Sequence, residues 1–446
     1  MATLTKTGFT REALAALPVA GEPGWAKAQR ERALDEFEAL PLPSQETEEW
    51  RYTDLSELDL AGFAPFAPGT VADNLDGLPE DVLAAAGQIG DRAGLLVQHN
   101  SQVATAHLDP ALAARGVYFG GLDRAFSERP HEVVDRLHAL VPTNRTLFTA
   151  LHGAFRAGGV LVHVPAGVRL ELPLQSIVWL DADGGAVFPH TLIVAEEGSE
   201  VAYIDRFVSP PLTRALSDAV VEIHAEAGAR VRYAGLQEWG DGVTHLSVQR
   251  ARVGRDAEVR SVGVAFGASL ARAEVESVLA GDGGSSELLG IYFGDGEQHL
   301  DHRSIQDHVG SNTSSDLLYK GALRDRSRAI YSGTVIIEEG AHHCNAYQTN
   351  RNVLLSESAK ANSIPNLEIL TNDPVRCGHA ASVGPVDEEQ VFYLQSRGIA
   401  PAEAERLIVK GFFQEVIDRV PLAEVAAGLE AAIDAELARE QGPEAQ

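Results

Sequence analysis

The chain has 446 residues and a formal net charge of −28, which together limit its size and its partners. A chain of this length can form two or three compact units with a sizeable core. The negative charge argues against nucleic acid and anionic membranes as partners, because both would repel it.

The two cysteines, Cys344 and Cys377, are too few for a disulfide framework, and their use is typical of a reducing compartment. Residues 1–17 carry no long apolar run, so we expect no signal peptide. No stretch approaches the ~20 apolar residues of a membrane span. These features predict a globular, cytoplasmic protein.

Residues 1–90 are predicted to form an N-terminal helical region. Residues 28–40 place apolar side chains at helical spacing, and Pro41 stops that helix. Trp50 and Tyr52 form an aromatic pair in a charged turn, where we expect them to anchor this region by packing. The Gly-, Pro- and Ala-rich residues 64–76 predict a linker.

Residues 91–157 are predicted to form a mixed α/β connecting region. Short strands and turns are expected over residues 93–126. The helical pattern returns over residues 131–140 and again over residues 146–155.

Residues 158–384 alternate apolar and polar side chains in a way that predicts strands. Turns of acidic and small residues recur about 30 residues apart, a period that indicates a solenoid of stacked coils. These turns lie at residues 165–168, 197–201, 227–231 and 255–259. The lack of intervening helices excludes a doubly wound α/β fold and leaves a β-helix or a large sandwich. The regular period and the absence of Asn-Gly hairpin turns favour the β-helix.

Residues 385–446 are predicted to form a C-terminal helical domain. Asp387 can cap a first helix that Gly398 closes, and Pro401 suits the start of a second helix that Gly411 ends. A third stretch, residues 412–420, leads to a last helix with one apolar stripe. The stripe comprises Leu422, Val425, Ala426, Leu429, Ile433 and Leu437. It requires a partner surface, either in this chain or in another.

Cys377 and His379 are the leading candidates for metal ligands. A thiolate and an imidazole can bind iron or another thiophilic metal, and residues i and i+2 of a strand share a face. The ordinary alternative is a buried thiol beside a hydrogen-bonded imidazole.

A further polar cluster, over residues 299–308, also contains side chains that could bind a metal. His299, Asp301, His302 and Arg303, followed by residues 307–308, suggest a metal-dependent hydrolase. Strand alternation, however, puts Asp301 and His302 on opposite faces, which favours a polar ladder on the solenoid wall.

His342 and Cys344 could share a face and form a second metal site, although an ordinary strand-turn is favoured. The sequence contains neither a GxxxxGK[ST] phosphate loop nor a GxSxG nucleophile elbow. We therefore expect no ATP hydrolysis by this chain.

Several long motifs resemble the SufB/SufD family of iron–sulfur cluster assembly proteins. They lie at residues 311–321, 346–356, 365–369 and 377–398. The resemblance is clear over about residues 145–420. Residues 49–53 and the Cys-x-His-Ala pattern are more similar to the SufD branch of the family than to the SufB branch.

The resemblance implies a right-handed parallel β-helix flanked by helical regions. It implies a non-catalytic scaffold subunit of the SUF assembly complex (SufBCD), which pairs with SufB through β-helix strands. The SufC ATPase would bind the C-terminal helices, and we expect the apolar stripe to be its docking surface. Strands near residues 365–375 would expose an edge in the free subunit, so we expect homodimers when it is alone.

The resemblance also carries a metal role over to this chain. His379 matches the family histidine at the SufB interface, and Cys377 matches the neighbouring cysteine. Iron or a nascent iron–sulfur cluster would bind there transiently, shared with SufB. Whether a reduced flavin joins the complex stays open.

Two classes of protein compete with a scaffold subunit: a β-helix carbohydrate-active enzyme, and an independent metal-binding or storage protein. Such an enzyme needs a carboxylate or basic cluster in an open groove, whereas the best ligands here lie at a domain boundary. Co-purification with an ATPase and a paralogue would separate the scaffold from both alternatives.

Overall fold

A computed structural model describes residues 6, 8–19, 21–87 and 91–438. It is mainly β, with a parallel β-solenoid of about 8 turns and helices towards both termini. The described strands are β1 (Gly94–His99), β2 (Gln102–Leu108), β3 (Tyr118–Gly121), β4 (Val160–Val164), β5 (Leu174–Trp179), β6 (Ala186–Val187), β7 (His190–Ala195), β8 (Glu200–Val208), β9 (Ala215–Ala225), β10 (Arg230–Glu238), β11 (Val243–Val253), β12 (Glu258–Ala265), β13 (Leu270–Leu279), β14 (Ser285–Gly294), β15 (His299–His308), β16 (Ser314–Leu323), β17 (Arg328–Ile337), β18 (Asn345–Leu354), β19 (Lys360–Ile369) and β20 (Arg376–Pro385).

The described α-helices lie before, between and after these strands. They are α1 (Arg11–Ala15), α2 (Gly24–Ala39), α3 (Glu80–Gly87), α4 (Pro110–Ala114), α5 (Leu122–Glu128), α6 (Pro130–Val133), α7 (Leu147–Phe155), α8 (Glu388–Ser396), α9 (Pro401–Ile417) and α10 (Ala423–Ala438). None of them is long and apolar enough to cross a membrane.

The strands form two sheets that face each other across the solenoid interior. From β8 onward, successive strands alternate between the sheets, so that β10 pairs in parallel with β8 and β12 while β11 pairs with β9 and β13. Residues 160–385 are all described and contain no α-helix. The predicted β-helix is confirmed. The first sheet also extends back to β1, which pairs in parallel with β5.

The predicted turns stack on one another along one corner of the solenoid. Gly198, Gly228 and Asp256 have φ angles of 65°, 66° and 55°, the left-handed region that glycine and aspartate tolerate best. The N–H of Gly198 donates to Ala227 (2.9 Å) in the next coil, and that of Gly228 donates to Arg255 (2.8 Å). The recurring turn residues therefore satisfy backbone groups between coils.

The N-terminal segments cover the outer face of the second sheet from its first coils as far as β15. All nine residues of α7 are buried, and a capping box of Thr146 and Thr149 begins this helix. Trp50 packs against Phe148 with ring centroids 5.5 Å apart, so Trp50 anchors this region as predicted. The prediction is wrong for Tyr52, which is 38% exposed. The predicted helix over residues 131–140 is wrong, because α6 ends at Val133 and a left-handed φ of 59° at His138 is incompatible with a continuing helix.

The C-terminal helices follow the predicted caps in part. Asp387 accepts hydrogen bonds from the N–H groups of Glu389 (2.9 Å) and Gln390 (3.4 Å), and Gly398 follows α8 with a φ of 88°. The prediction that Gly411 ends the second helix is wrong, since α9 continues through it to Ile417. Burial of Phe413 outweighs the cost of about 1 kcal/mol for a glycine inside a helix.

The apolar stripe of α10 is covered by this chain itself. Val425, Leu429 and Ile433 are buried in a cluster with Phe413 of α9 and the outward-facing residues of the first sheet, such as Val262. The prediction that the stripe is the docking surface for an ATPase is therefore wrong. The outer face of the sheet is apolar and needs a cover, which the stripe provides.

Candidate metal site at the open end of the solenoid

The last coil of the solenoid ends in two edge strands. Among the described residues, β19 pairs only with β17 and β20 only with β18, so each has a strand neighbour on one side. An edge strand presents N–H and C=O groups that can pair with another chain. Both predicted metal ligands lie on this coil.

Cys377 and His379 share one face of β20. They are in register with Ala346 and Gln348 of β18, two residues whose side chains are buried in the interior. Gln348 accepts a hydrogen bond there from the hydroxyl of Tyr331 (3.1 Å). No described coil lies beyond β20, so His379 is exposed and Cys377 is half-buried. The two side chains thus point into the open mouth of the solenoid.

The thiol of Cys377 lies against the interior of the coil below. It packs on a cluster that includes Val335, Ile337 and Cys344. Burial raises the pKa of the Cys377 thiol, and the neighbouring Cys344 raises it further. Metal binding by Cys377 therefore requires the release of a proton, whereas a neutral imidazole binds through a lone pair it already has.

Apolar side chains surround this edge. Four of them are between 41% and 70% exposed, namely Ile369, Leu370, Val375 and Val383. A group of exposed apolar residues beside edge strands marks an interaction surface.

The polar cluster on β15 does not converge on a metal. Asp301 is buried on the outer face, where it forms an ion pair with Arg272 and accepts a hydrogen bond from the Thr53 hydroxyl (2.6 Å). His302 points the other way and stacks on Tyr292 inside the solenoid, with ring centroids 4.4 Å apart. The expected opposition of Asp301 and His302 is confirmed, and the outer side chains anchor the N-terminal segment.

His342 and Cys344 do not form a second metal site. Cys344 is fully buried, with its Sγ atom 3.2 Å from the Thr313 hydroxyl. The ring of His342 is exposed, and its Nδ1 atom lies 2.9 Å from an Asp373 oxygen. His343, with a φ of 56°, occupies a left-handed turn position. The ordinary strand-turn that the sequence favoured is what the structure contains.

The structure also brings together three histidines that the sequence did not single out. His138, His152 and His190 each offer a nitrogen, these nitrogens lie within 4.8 Å of one another, and all three residues are buried. They come from a turn, from α7 and from β7. No local motif joins them, because the three histidines come from segments that are distant in the sequence.

The fold and the edge site together define a class: a parallel β-helix whose last described coil has two edge strands and carries a thiol–imidazole pair. Two family models match the chain, the SufBD core domain of the SUF iron–sulfur cluster assembly system over residues 178–412 and the SufBD N-terminal region over residues 92–176. The chain belongs to the SufBD family of iron–sulfur cluster assembly proteins.

Individual relatives agree with this assignment. The chain is 32% identical to the iron–sulfur cluster assembly protein SufD of Bacillus subtilis over 93% of this chain and 94% of the relative. It is 36% identical to a SufBD family protein of Mycobacterium leprae over 67% of this chain and 76% of the relative. A Staphylococcus saprophyticus family member is 29% identical over 90% and 87%, respectively.

Proposed function

We propose that this chain is the SufD-type scaffold subunit of a cytoplasmic SufBCD complex, in which it supports iron acquisition and cluster assembly at its interface with SufB. It catalyses no reaction itself, and ATP hydrolysis belongs to SufC. The observation that carries the proposal is the open last coil, where two edge strands, exposed apolar residues and a thiol–imidazole pair occur together.

The edge strands are the surface proposed to pair with SufB. A second β-helix laid against β19 and β20 would continue both sheets and satisfy their free backbone groups. The same contact would cover Leu370 and Val375, which are 57% and 70% exposed in the free chain. This edge is also the proposed route to homodimers when SufB is absent.

Cys377 and His379 are too few to complete the coordination of iron, which is why we propose that SufB shares the metal. His379 and Cys377 supply two ligands, while iron in iron–sulfur clusters and in tetrahedral thiolate sites takes four. The remaining ligands would come from SufB and from the inorganic sulfide of the nascent cluster. Iron is cargo here, held between the two subunits and passed on.

The proposed SufC surface is the exposed side of the C-terminal helices. The apolar stripe of α10 is already covered, so the ATPase needs other contacts. Phe392 and Tyr393 of α8 are exposed aromatic residues, and Leu407 of α9 is also exposed. Aromatic side chains are enriched at interface centres.

Co-expression with SufB and SufC tests the edge. The double variant L370D/V375D would bury two unpaired carboxylates at the strand contact, so we expect at least about tenfold weaker binding of SufB. The matched control is Val71→Asp, since Val71 is 65% exposed but lies in the N-terminal linker. Native mass spectrometry should show that the double variant loses SufB and that the V71D control keeps it. The double variant expressed without SufB should be a monomer, whereas the wild-type chain should be a homodimer. Unchanged SufB binding by a folded double variant would refute the edge contact.

A further inference from the structure

The buried histidine group lies at the other end of the solenoid from Cys377 and His379. His138 follows α6 in a turn, His152 lies in the middle of α7, and His190 begins β7. Their rings contact one another, with centroids between 4.9 and 5.7 Å apart. Three segments distant in the sequence therefore bring imidazoles to one enclosed point.

Backbone carbonyls fix two of these rings. His152 Nδ1 lies 2.8 Å from the carbonyl oxygen of Asp218, and His138 Nδ1 lies 3.2 Å from that of Val141. A carbonyl can only accept, so both Nδ1 atoms carry the proton and both Nε2 atoms keep their lone pair.

A buried carboxylate orients the third ring. His190 Nε2 lies 3.0 Å from an oxygen of Glu222. Glu222 also accepts hydrogen bonds from the backbone N–H groups of His138 (2.7 Å), Leu140 (2.6 Å) and Val141 (2.9 Å). When the Nε2–H of His190 donates a hydrogen bond to Glu222, the Nδ1 atom carries the lone pair, and this atom faces the other two histidines. This carboxylate–imidazole arrangement is how proteins orient metal-binding histidines.

The inner nitrogens are poorly satisfied by protein groups. His138 Nε2 is buried and has no hydrogen-bond partner among the described residues. His190 Nδ1 and His152 Nε2 face each other at 3.1 Å. A buried polar atom without a partner costs about 1–3 kcal/mol and calls for an explanation.

We propose that His138, His152 and His190 bind a divalent first-row transition ion, a structural metal that ties the turn after α6 and helix α7 to β7. Imidazole suits zinc, iron, cobalt and nickel. Ligands about 2.0 Å from a tetrahedral ion are about 3.3 Å apart, so the widest pair has to close by at most about 1.5 Å. The site is enclosed and all three of its protein ligands come from this chain, which leaves the fourth position of a tetrahedral ion for a water molecule. This proposal is independent of the role in cluster assembly.

Cobalt(II) is the probe for this site because its visible absorption reports tetrahedral ligands. The full chain, refolded without metal, should take up about one equivalent of Co²⁺ with a visible band and without a thiolate charge-transfer band. Zn²⁺ should displace the cobalt and raise the Tm by a few degrees at a large excess over its Kd. The double variant C377S/H379A should keep this equivalent, since its ligands lie elsewhere.

The decisive variant is His138→Ala, with His131→Ala as the matched control because His131 is exposed in the same segment. H138A should bind Co²⁺ at least about tenfold more weakly, while H131A should bind as the wild type does. Equal binding by H138A, or loss of the ion in C377S/H379A, would overturn the proposal. If H138A does not fold, the wild-type chain decides: absence of the cobalt band from refolded wild type also overturns it.

Discussion

The two ends of the solenoid are finished in opposite ways. At the amino-terminal end, β2 and β3 pair antiparallel with β1 and β4, and α2 and α7 bury the first coils. At the carboxyl-terminal end, β19 and β20 present an edge, with Val375 and Leu370 exposed beside it. One end is closed by the chain itself, and the other is available for another chain.

The candidate sites at the two ends differ in burial, as the ends themselves do. The three histidines of the closed end are buried, and each is oriented by an acceptor on its outer nitrogen. The ligand pair of the open end is exposed and has two members only. The comparison shows a histidine group enclosed by this chain and a thiol–imidazole pair at an edge where the imidazole is exposed.

The largest difference between the ends is expected from two phenylalanines. Phe155 is fully buried and packs on Phe9 and Phe188, with ring centroids 5.0 and 6.2 Å apart, so Phe155→Ala should lower the free energy of unfolding by about 4 kcal/mol. Phe392→Ala should change it by less than about 0.5 kcal/mol, because Phe392 is 72% exposed. Chemical denaturation of both variants measures this. Similar losses for the two variants would contradict the distinction between the ends.

A smaller effect is expected from two aspartates. Asp301→Ala leaves the buried Arg272 without its ion partner and should cost about 3 kcal/mol. Asp373→Ala should leave the free energy of unfolding unchanged, since Asp373 pairs with exposed histidines. A large loss of stability in the Asp373 variant, or no loss in the Asp301 variant, would contradict the assignment of Asp301 as the residue that anchors the N-terminal segment.

The Asp301 variant also has a defined pH dependence. Burial opposes ionisation of Asp301, but Arg272, Arg303 and the Thr53 hydroxyl outweigh it and lower the pKa below its usual value of 3.8. A lowered pKa means that ionised Asp301 stabilises the fold above pH 3.8 and that this contribution is lost as the pH falls through the folded-state value. The advantage of wild type over D301A should therefore disappear in acid.

Much of the fold could be predicted because its signals are local. The alternation and the acidic-small turns indicate the solenoid, and Asp387 and Gly398 mark the ends of α8 through their own caps. Gly411 misled the prediction because the burial of Phe413 depends on the sheet beneath α9. The stripe of α10 was recognisable, but which surface covers it is a property of the tertiary structure.

For the candidate sites, too, the sequence predicts only what local spacing determines. Cys377 and His379 could be predicted to lie together because residues i and i+2 of one strand share a face, and both lie on one face of β20. The three histidines are joined only when coils stack and α7 packs on β9, which no spacing in the sequence reveals. Non-local sites of this kind need the folded chain before their chemistry can be recognised.

The measurement that most directly tests the open-end account is the iron and sulfide content of the purified SufBCD complex carrying His379→Ala. The variant should fold and assemble normally, because His379 is exposed on the last coil, while its iron content should fall about tenfold or more. His342→Ala is the matched control, an exposed imidazole at the same end that pairs with Asp373, and it should keep normal iron. Normal iron and sulfide in an intact His379→Ala complex would contradict the account.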